Sequence, residues 1–308
     1  MNGLVIIVRI LLMKIHKNLD SFFILSIGLF VLAWGALFIH WANAPGLIIT
    51  FYRNSVASLV LLIFLFGMSK KKKIHISVNR IRVAILAGMF YGVDVGLHAI
   101  GVNLSGATVP TVLANTAPIW VGLGAILFFN ESLSIYFWSG LVVAMLGVLM
   151  LVGVDQLSNI VDSVDSFYGL MAAVFYAGFF LVGQKARESM DPFCFLFVAF
   201  ASASITTGLI AMILGQPFTG YSMLTYIICF VYGAVIQVGG WLCVTQSLGK
   251  LPASTVSPIL LLQAVITSVL AHLFLNEYLN TTQYMGGAVV LLGVFIVQRH
   301  RTNRQIDD

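Results

Sequence analysis

Ten long, mostly apolar runs follow one another along the chain, near residues 22–40, 46–67, 82–101, 108–128, 134–153, 167–184, 193–214, 222–246, 253–275 and 282–298. Runs of about 18 residues or more are long enough to cross a bilayer core as helices. Polar residues gather in the short connections between them, so neighbouring helices run antiparallel. The runs are continuously apolar rather than alternating, which argues against a membrane barrel. The pattern predicts an all-α integral membrane protein with ten transmembrane helices. A shorter run at 3–13, interrupted by Arg9, is too short to span. No small-residue cleavage site follows it, so residues 1–21 read as a disordered or surface-lying tail.

Composition agrees with this picture. The chain has 308 residues, of which 60% are hydrophobic and 9% charged, with a mean hydropathy of +1.01. A water-soluble domain carries roughly a quarter charged residues, so the surrounding medium must be a lipid bilayer. The formal charge of +5 is not a nucleic-acid footprint, because the basic residues sit in short connections. Arg9, Lys14 and Lys17 precede the first run, and Lys70, Lys71, Lys72, Lys73, Arg80 and Arg82 lie around the second connection. Lys185, Arg187, Lys250, Arg299, Arg301 and Arg304 complete the set. With ten crossings all of these share one side, and Arg53 alone falls inside a run. The positive-inside rule then places both termini in the cytoplasm of a cell (inner) membrane protein. Cys194, Cys229 and Cys243 lie in apolar runs and read as small buried hydrophobes without a disulfide. No metal-ligand spacing or cofactor motif appears.

One polar phrase occurs twice. Asn130-Glu131 and Asn276-Glu277 are 146 residues apart, and a gapless shift by 146 matches twelve of the 42 positions between 107 and 148. The matches include Gly140 with Gly286 and Gly147 with Gly293. Runs four and five therefore resemble runs nine and ten. The longest outer connection, 154–166, divides the chain into repeats at 22–153 and 167–299, followed by a cytoplasmic tail at 300–308. Five is an odd number of crossings, so the second repeat enters the membrane inverted, with Glu131 and Glu277 on opposite sides. Inverted repeats are a device of secondary transporters, in which two halves rock about a site near the midplane. As a local reading, each Asn-Glu pair stops its helix and caps the next one.

The same residues carry a family resemblance. Leu273-Phe274-Leu275-Asn276-Glu277-Tyr278-Leu279, and the first copy from Leu127 to Leu133, look like the phrase that closes the fourth helix of EamA-type repeats. The run from Ser105 to Pro118 looks like the start of that helix, and Gly35 and Phe51-Tyr52-Arg53-Asn54 also fit. The chain thus resembles the drug/metabolite transporter superfamily, with two EamA repeats. The resemblance implies a ten-helix transporter of small organic metabolites. One departure is visible: Pro118 falls opposite Ala264, whereas the second repeat has Pro258 six residues earlier. Any break in the ninth helix is therefore expected to be displaced.

Charged groups within the runs are the first candidates for function, because a bare charge in hydrocarbon costs at least about 2.5–3.5 kcal/mol. Arg53 and Asp94 share a depth in the outer half of the membrane. They form either an ion pair stapling helices two and three, or a functional site in which Arg53 receives a substrate carboxylate or Asp94 takes up a proton. If Asp94 takes up a proton, protons are a coupling partner. Tyr91 and His98 share the helical face of Asp94. Thr111, Asn115 and Pro118 share a face of run four. Gln237 and Trp241 share one of run eight, Gln263 lies mid-run in nine, and Trp34 and Tyr176 sit near mid-membrane. The ordinary role of each alone is interhelical bonding or packing. Together they suggest a polar, aromatic-lined site for a small-molecule substrate, an amino acid or a similar amphipathic metabolite. No nucleophile–base pair, acid pair or metal cluster supports an intramembrane enzyme. A receptor has no need of two inverted halves, and saturable flux with counterflow is what separates a carrier from a channel.

Overall fold

The computed structural model describes residues 20–69, 78–105, 108–153 and 164–307. Among them are ten helices long and apolar enough to span a membrane. These are α1 (Asp20–Ala42), α2 (Gly46–Gly67), α3 (Val78–Val102), α4 (Val109–Phe129), α5 (Ile135–Val152), α6 (Ser166–Arg187), α7 (Pro192–Ile213), α8 (Met223–Leu248), α9 (Ala253–Leu275) and α10 (Thr281–Arg299). No strand occurs among the described residues. The N-terminal stretch to residue 19, Lys70 to Lys73 and most of the 154–166 connection lie outside them. Helix α3 begins four residues before its apolar run, where Arg80 donates to the Ser189 carbonyl (2.7 Å). The last helix continues through Asp307, into the expected tail.

The repeated phrase ends one helix and opens the next, with the two tasks divided among its residues. Asn130 and Asn276 take left-handed backbone at φ 52° and 56°, a conformation Asn tolerates and most residues avoid. That stops α4 and α9. Neither pair caps the following helix, contrary to the expectation. Ser134 caps α5 by accepting from the Phe137 N–H (3.4 Å). Asn280, its equivalent under the 146-residue shift, caps α10. There the Asn280 side chain accepts from Gln283 N–H and the Gln283 side chain from Asn280 N–H, both at 2.9 Å, a reciprocal capping box.

Contacts between helix ends fix which ends share a face. At one face Glu131, at the end of α4, accepts from the Ser254 hydroxyl at the start of α9. Ser247 donates to the Ser21 carbonyl (2.9 Å), Arg187 Nε to the Thr245 carbonyl (2.9 Å) and Gln298 to the Thr255 carbonyl (3.1 Å). At the other face Thr225 donates to the Ala42 carbonyl (2.8 Å) and Gln283 to the Leu151 carbonyl (3.1 Å). Glu277 follows the far end of α9, whose 23 residues rise about 34 Å. The two glutamates therefore sit on opposite faces, and the repeats are inverted. Of the described basic residues, Arg80, Arg82, Lys185, Arg187, Lys250 and Arg299 all belong to the Glu131 face.

The glycines of the repeat have a specific place. α5 and α10, the last helices of the two halves, cross backbone to backbone. A Cβ on Gly147 would stand 2.4 Å from Val290 N and 2.7 Å from Gly286 O, and one on Gly140 2.8 Å from Gly293 O. Gly140 thus meets the repeat-equivalent of Gly147, and Gly147 meets the equivalent of Gly140. That exchange is what a two-fold axis between the halves requires.

Four of the helices are irregular. α1 turns at Trp34, between its segments to Ala33 and from Gly35. α4 breaks at Asn115-Thr116, between Thr108–Ala114 and Ala117–Phe129. α9 breaks at Leu261, between Ala253–Leu260 and Leu262–Leu275. α8 contains a π-helical stretch, Tyr232–Gln237. The break in α9 is not displaced as expected: Leu261 is the equivalent of Asn115 under the 146-residue shift. Pro118 lies just after its break and Pro258 just before. Either side of a break suits proline, which gives up one i→i−4 bond wherever it stands.

Candidate functional site

The inner ends of these irregular segments meet at two connected places. The first is a buried polar cluster around Arg53. Arg53 (8% exposed) donates to the hydroxyls of Tyr232 and, at 3.2 Å, Tyr91, and its guanidinium lies 4.8 Å from the Tyr232 ring centre. The next residue, Asn54, accepts from Gln237 (2.8 Å), whose amide also reaches the Tyr91 hydroxyl at 3.3 Å. A π-turn closes i→i+5 bonds, so it brings residues about five apart onto one face. That is how Tyr232 and Gln237 grip consecutive residues of α2. No sequence pattern marks a π-turn, so Tyr232 escaped the sequence reading, while Asn54 stood out only within the run Phe51 to Asn54 and not as a site residue.

Of the two readings of Arg53 and Asp94, the direct ion pair is not formed. Among the described residues the salt bridge joins Lys185 to Glu188 (2.9 Å). Asp94 (8% exposed) acts on Arg53 only through space. Neutral phenols take the place of a carboxylate, and Arg53 Nε, though buried, has no hydrogen-bond partner. Trp241 closes the cluster from the side, with its ring 5.5 Å from that of Tyr91 and 6.4 Å from that of Tyr176.

The second place is a cavity of about 350 Å³ between α1, α4, α5, α6 and α9. Five repeat-related pairs line it: Thr111 with Ser257, Ala114 with Leu260, Asn115 with Leu261, Ala117 with Gln263, and Pro118 with Ala264. It therefore straddles the pseudo-two-fold axis, at the helix breaks. Tyr176 lines it and lies within electrostatic reach of Arg53 and Asp94. His98 Nε2 reaches the Thr111 hydroxyl at 3.3 Å. Val152, the last residue of α5, also lines it, so the cavity extends toward the face without basic residues. The broken α1 is held by α9: Gln263 donates to the Leu32 carbonyl (3.4 Å) and Thr267 to that of Ala33 (3.1 Å).

Of the residues singled out from sequence, Arg53, Tyr91, Gln237 and Trp241 form the cluster, with Asp94 one helical turn away. Asn115, Tyr176 and Gln263 line the cavity, and His98 adjoins it through Thr111. Trp34, at the turn in α1, lines neither polar place directly; its ring is 5.0 Å from that of Phe274, and it packs against the apolar group that includes Tyr232. Ser257 was missed; only its equivalence to Thr111 could have pointed to it.

Comparison with known proteins supports the same architecture. The model of the EamA-like transporter family matches residues 21–153 and again 166–299. An uncharacterized transporter of Clostridium kluyveri is 20% identical over 82% of this chain and 83% of its own length. An S-adenosylmethionine uptake transporter of Rickettsia felis is 23% identical over 79% of each. A crystal structure covers 91% of this chain and 98% of its own with a TM-score of 0.74 at 12% identity, a likeness of fold.

Proposed function

The chain belongs to the EamA-like transporter family and is a multi-pass membrane transporter of a small-molecule substrate; we propose that it carries an amphipathic metabolite with a carboxylate, an amino acid or a derivative of one, by alternating access. The single observation that carries this reading is the state of Arg53: a buried guanidinium with two neutral phenol acceptors, a free Nε and no carboxylate in contact. A substrate carboxylate is the stronger, bidentate acceptor that such a fork is built for. Asp94, one turn from Tyr91, is the group to take up a coupling proton. The relatives named for S-adenosylmethionine uptake support an amino-acid-derived substrate. The positive-inside rule places the Glu131 face and both termini in the cytoplasm of a cell-membrane protein. The cavity then extends toward the outer side, and the contact of Glu131 with Ser254 joins the two repeats on the cytoplasmic side. The neighbouring aromatic and amide side chains shape the rest of the site.

The test is flux in proteoliposomes loaded with an amino-acid mixture. A carrier shows saturable uptake and counterflow, and Arg53→Ala abolishes both. Uptake that rises linearly without counterflow would mean a channel, and no uptake of any amino acid would remove the substrate class.

A further inference from the structure

The first three residues of α9 are each held by a different helix. The Ala253 N–H donates to the Gln184 side chain of α6, the Ser254 hydroxyl to Glu131 at the end of α4, and the Thr255 carbonyl accepts from Gln298 of α10 (3.1 Å). Pro252, at the N-cap, makes no side-chain cap bond of its own, so Gln184 supplies that cap from another helix. The half-helix that follows, Ala253–Leu260, is buried at every residue and ends at the break at Leu261.

The first repeat lacks the means to hold its own half-helix, Thr108–Ala114, in this way. The 146-residue shift sets Glu131 against Glu277, but Gln298 against Val152 and Gln184 against Phe38. Neither Val152 nor Phe38 carries a polar side-chain atom. Val152 lines the outward cavity instead. The outer-face bonds of Thr225 and Gln283 join α8 to α1 and α10 to α5, and do not touch α4. Two inverted copies of one fold can trade conformations, and alternating access is that trade. When the outer side closes, the first half of α4 takes the place that the first half of α9 has here. One of the three holds then has a counterpart, in Glu277, and two have none.

We propose that Gln184 and Gln298 bias the empty protein toward the state closed at the Glu131 face and open outward. This rests on the carrier reading above. One net hydrogen bond shifts a population about two- to tenfold, so the two unmatched bonds together give roughly tenfold. A site that faces outward in most empty molecules also has the lower apparent Kd on that side, because the competent fraction is larger there.

The test is amide hydrogen exchange of the empty full-length protein in nanodiscs, read by peptide mass spectrometry over residues 253–260 and 109–114. Val152→Gln gives the first repeat the amide it lacks, placed to reach the Val109 carbonyl once the outer side closes. It should speed exchange of 253–260 about two- to tenfold and slow that of 109–114. Local fraying cannot carry a change at the outer end of α5 to the cytoplasmic end of α9. Gln298→Val, the reciprocal change, should move both segments in the same directions. Faster exchange of 253–260 with 109–114 unchanged in Gln298→Val would mean a local tether only, and unchanged exchange of 253–260 in Val152→Gln would likewise overturn the bias. If both segments respond as expected while no amino acid is carried, the substrate class falls and the bias stands. If amino acids show saturable uptake and counterflow while the segments do not respond, the bias falls and the carrier stands.

Discussion

Tyr232, on α8 of the second repeat, receives a guanidinium N–H of Arg53, on α2 of the first. The bond crosses the boundary between the two halves, and it solves a problem every carrier has: its charged site must be satisfied while empty. Phenol oxygens do this without neutralising the charge, so a carboxylate can displace them.

Arg53→Ala is therefore expected to fold and to lose both flux and ligand-induced thermal stabilisation. Arg53→Lys keeps the charge but loses the fork, and should bind weakly. Tyr232→Phe removes one hydrogen bond to a charged group, about 1.5–3 kcal/mol. It should lower the melting temperature of the empty protein while leaving the substrate-bound form less affected. Equal destabilisation of both forms would show that Tyr232 never lets go.

Asp94 is the candidate proton carrier. Flux measured from pH 5 to 8 should depend on pH in wild type, and Asp94→Asn should flatten that profile while substrate exchange persists. An unchanged profile in Asp94→Asn would take this residue out of the coupling step.

Glu131 and Ser254 close the face that carries the basic residues. Because Glu131 belongs to α4 and Ser254 to α9, opening that face must separate them. Glu131→Gln should weaken the contact and shift the population toward the state open on that side. Spin labels or dyes at positions 185 and 250 should report longer distances and faster access to aqueous reagents. No change would mean that the face is held by other contacts, such as Arg187 with the Thr245 carbonyl.

Gly147 admits no side chain. A methyl group there would sit 2.4 Å from a backbone nitrogen of α10, and neither helix can yield without parting the two repeats. Gly147→Ala should sharply lower folded yield, by a cost of about 1–3 kcal/mol or more. Gly239→Ala, where the nearest atom is 4.0 Å away, should be tolerated. Similar yields for the two would show that the α5–α10 crossing is more plastic than its contacts imply.

Sidedness is testable directly. Single cysteines at 188 and 250 should label from the cytoplasmic side, and those at 219 and 278 from the other. Labelling of 188 and 278 from the same side would contradict the inverted repeat.

The amino-acid sequence by itself determined the ten crossings, the inverted repeat and the common face of the basic residues. A helix in lipid needs only length and apolarity, which are properties of a continuous stretch, and loop charge is counted in the same one-dimensional way. Asn130 and Asn276 were legible as helix stops because Asn prefers that backbone locally. Candidate site residues such as Arg53 and Gln263 could be named because polar groups in hydrocarbon are conspicuous. Their partners were not legible. Sequence depth put Arg53 level with Asp94, but side-chain direction and the π-turn in α8 turned it toward Tyr232. Proline positions suggested displaced breaks, yet packing about the two-fold axis placed Asn115 and Leu261 in register. Only the tertiary structure brought Thr111 and Ser257 to one cavity and left Ser257 without a partner. Such pairings join residues far apart in the chain, and no local period records which helix will face which.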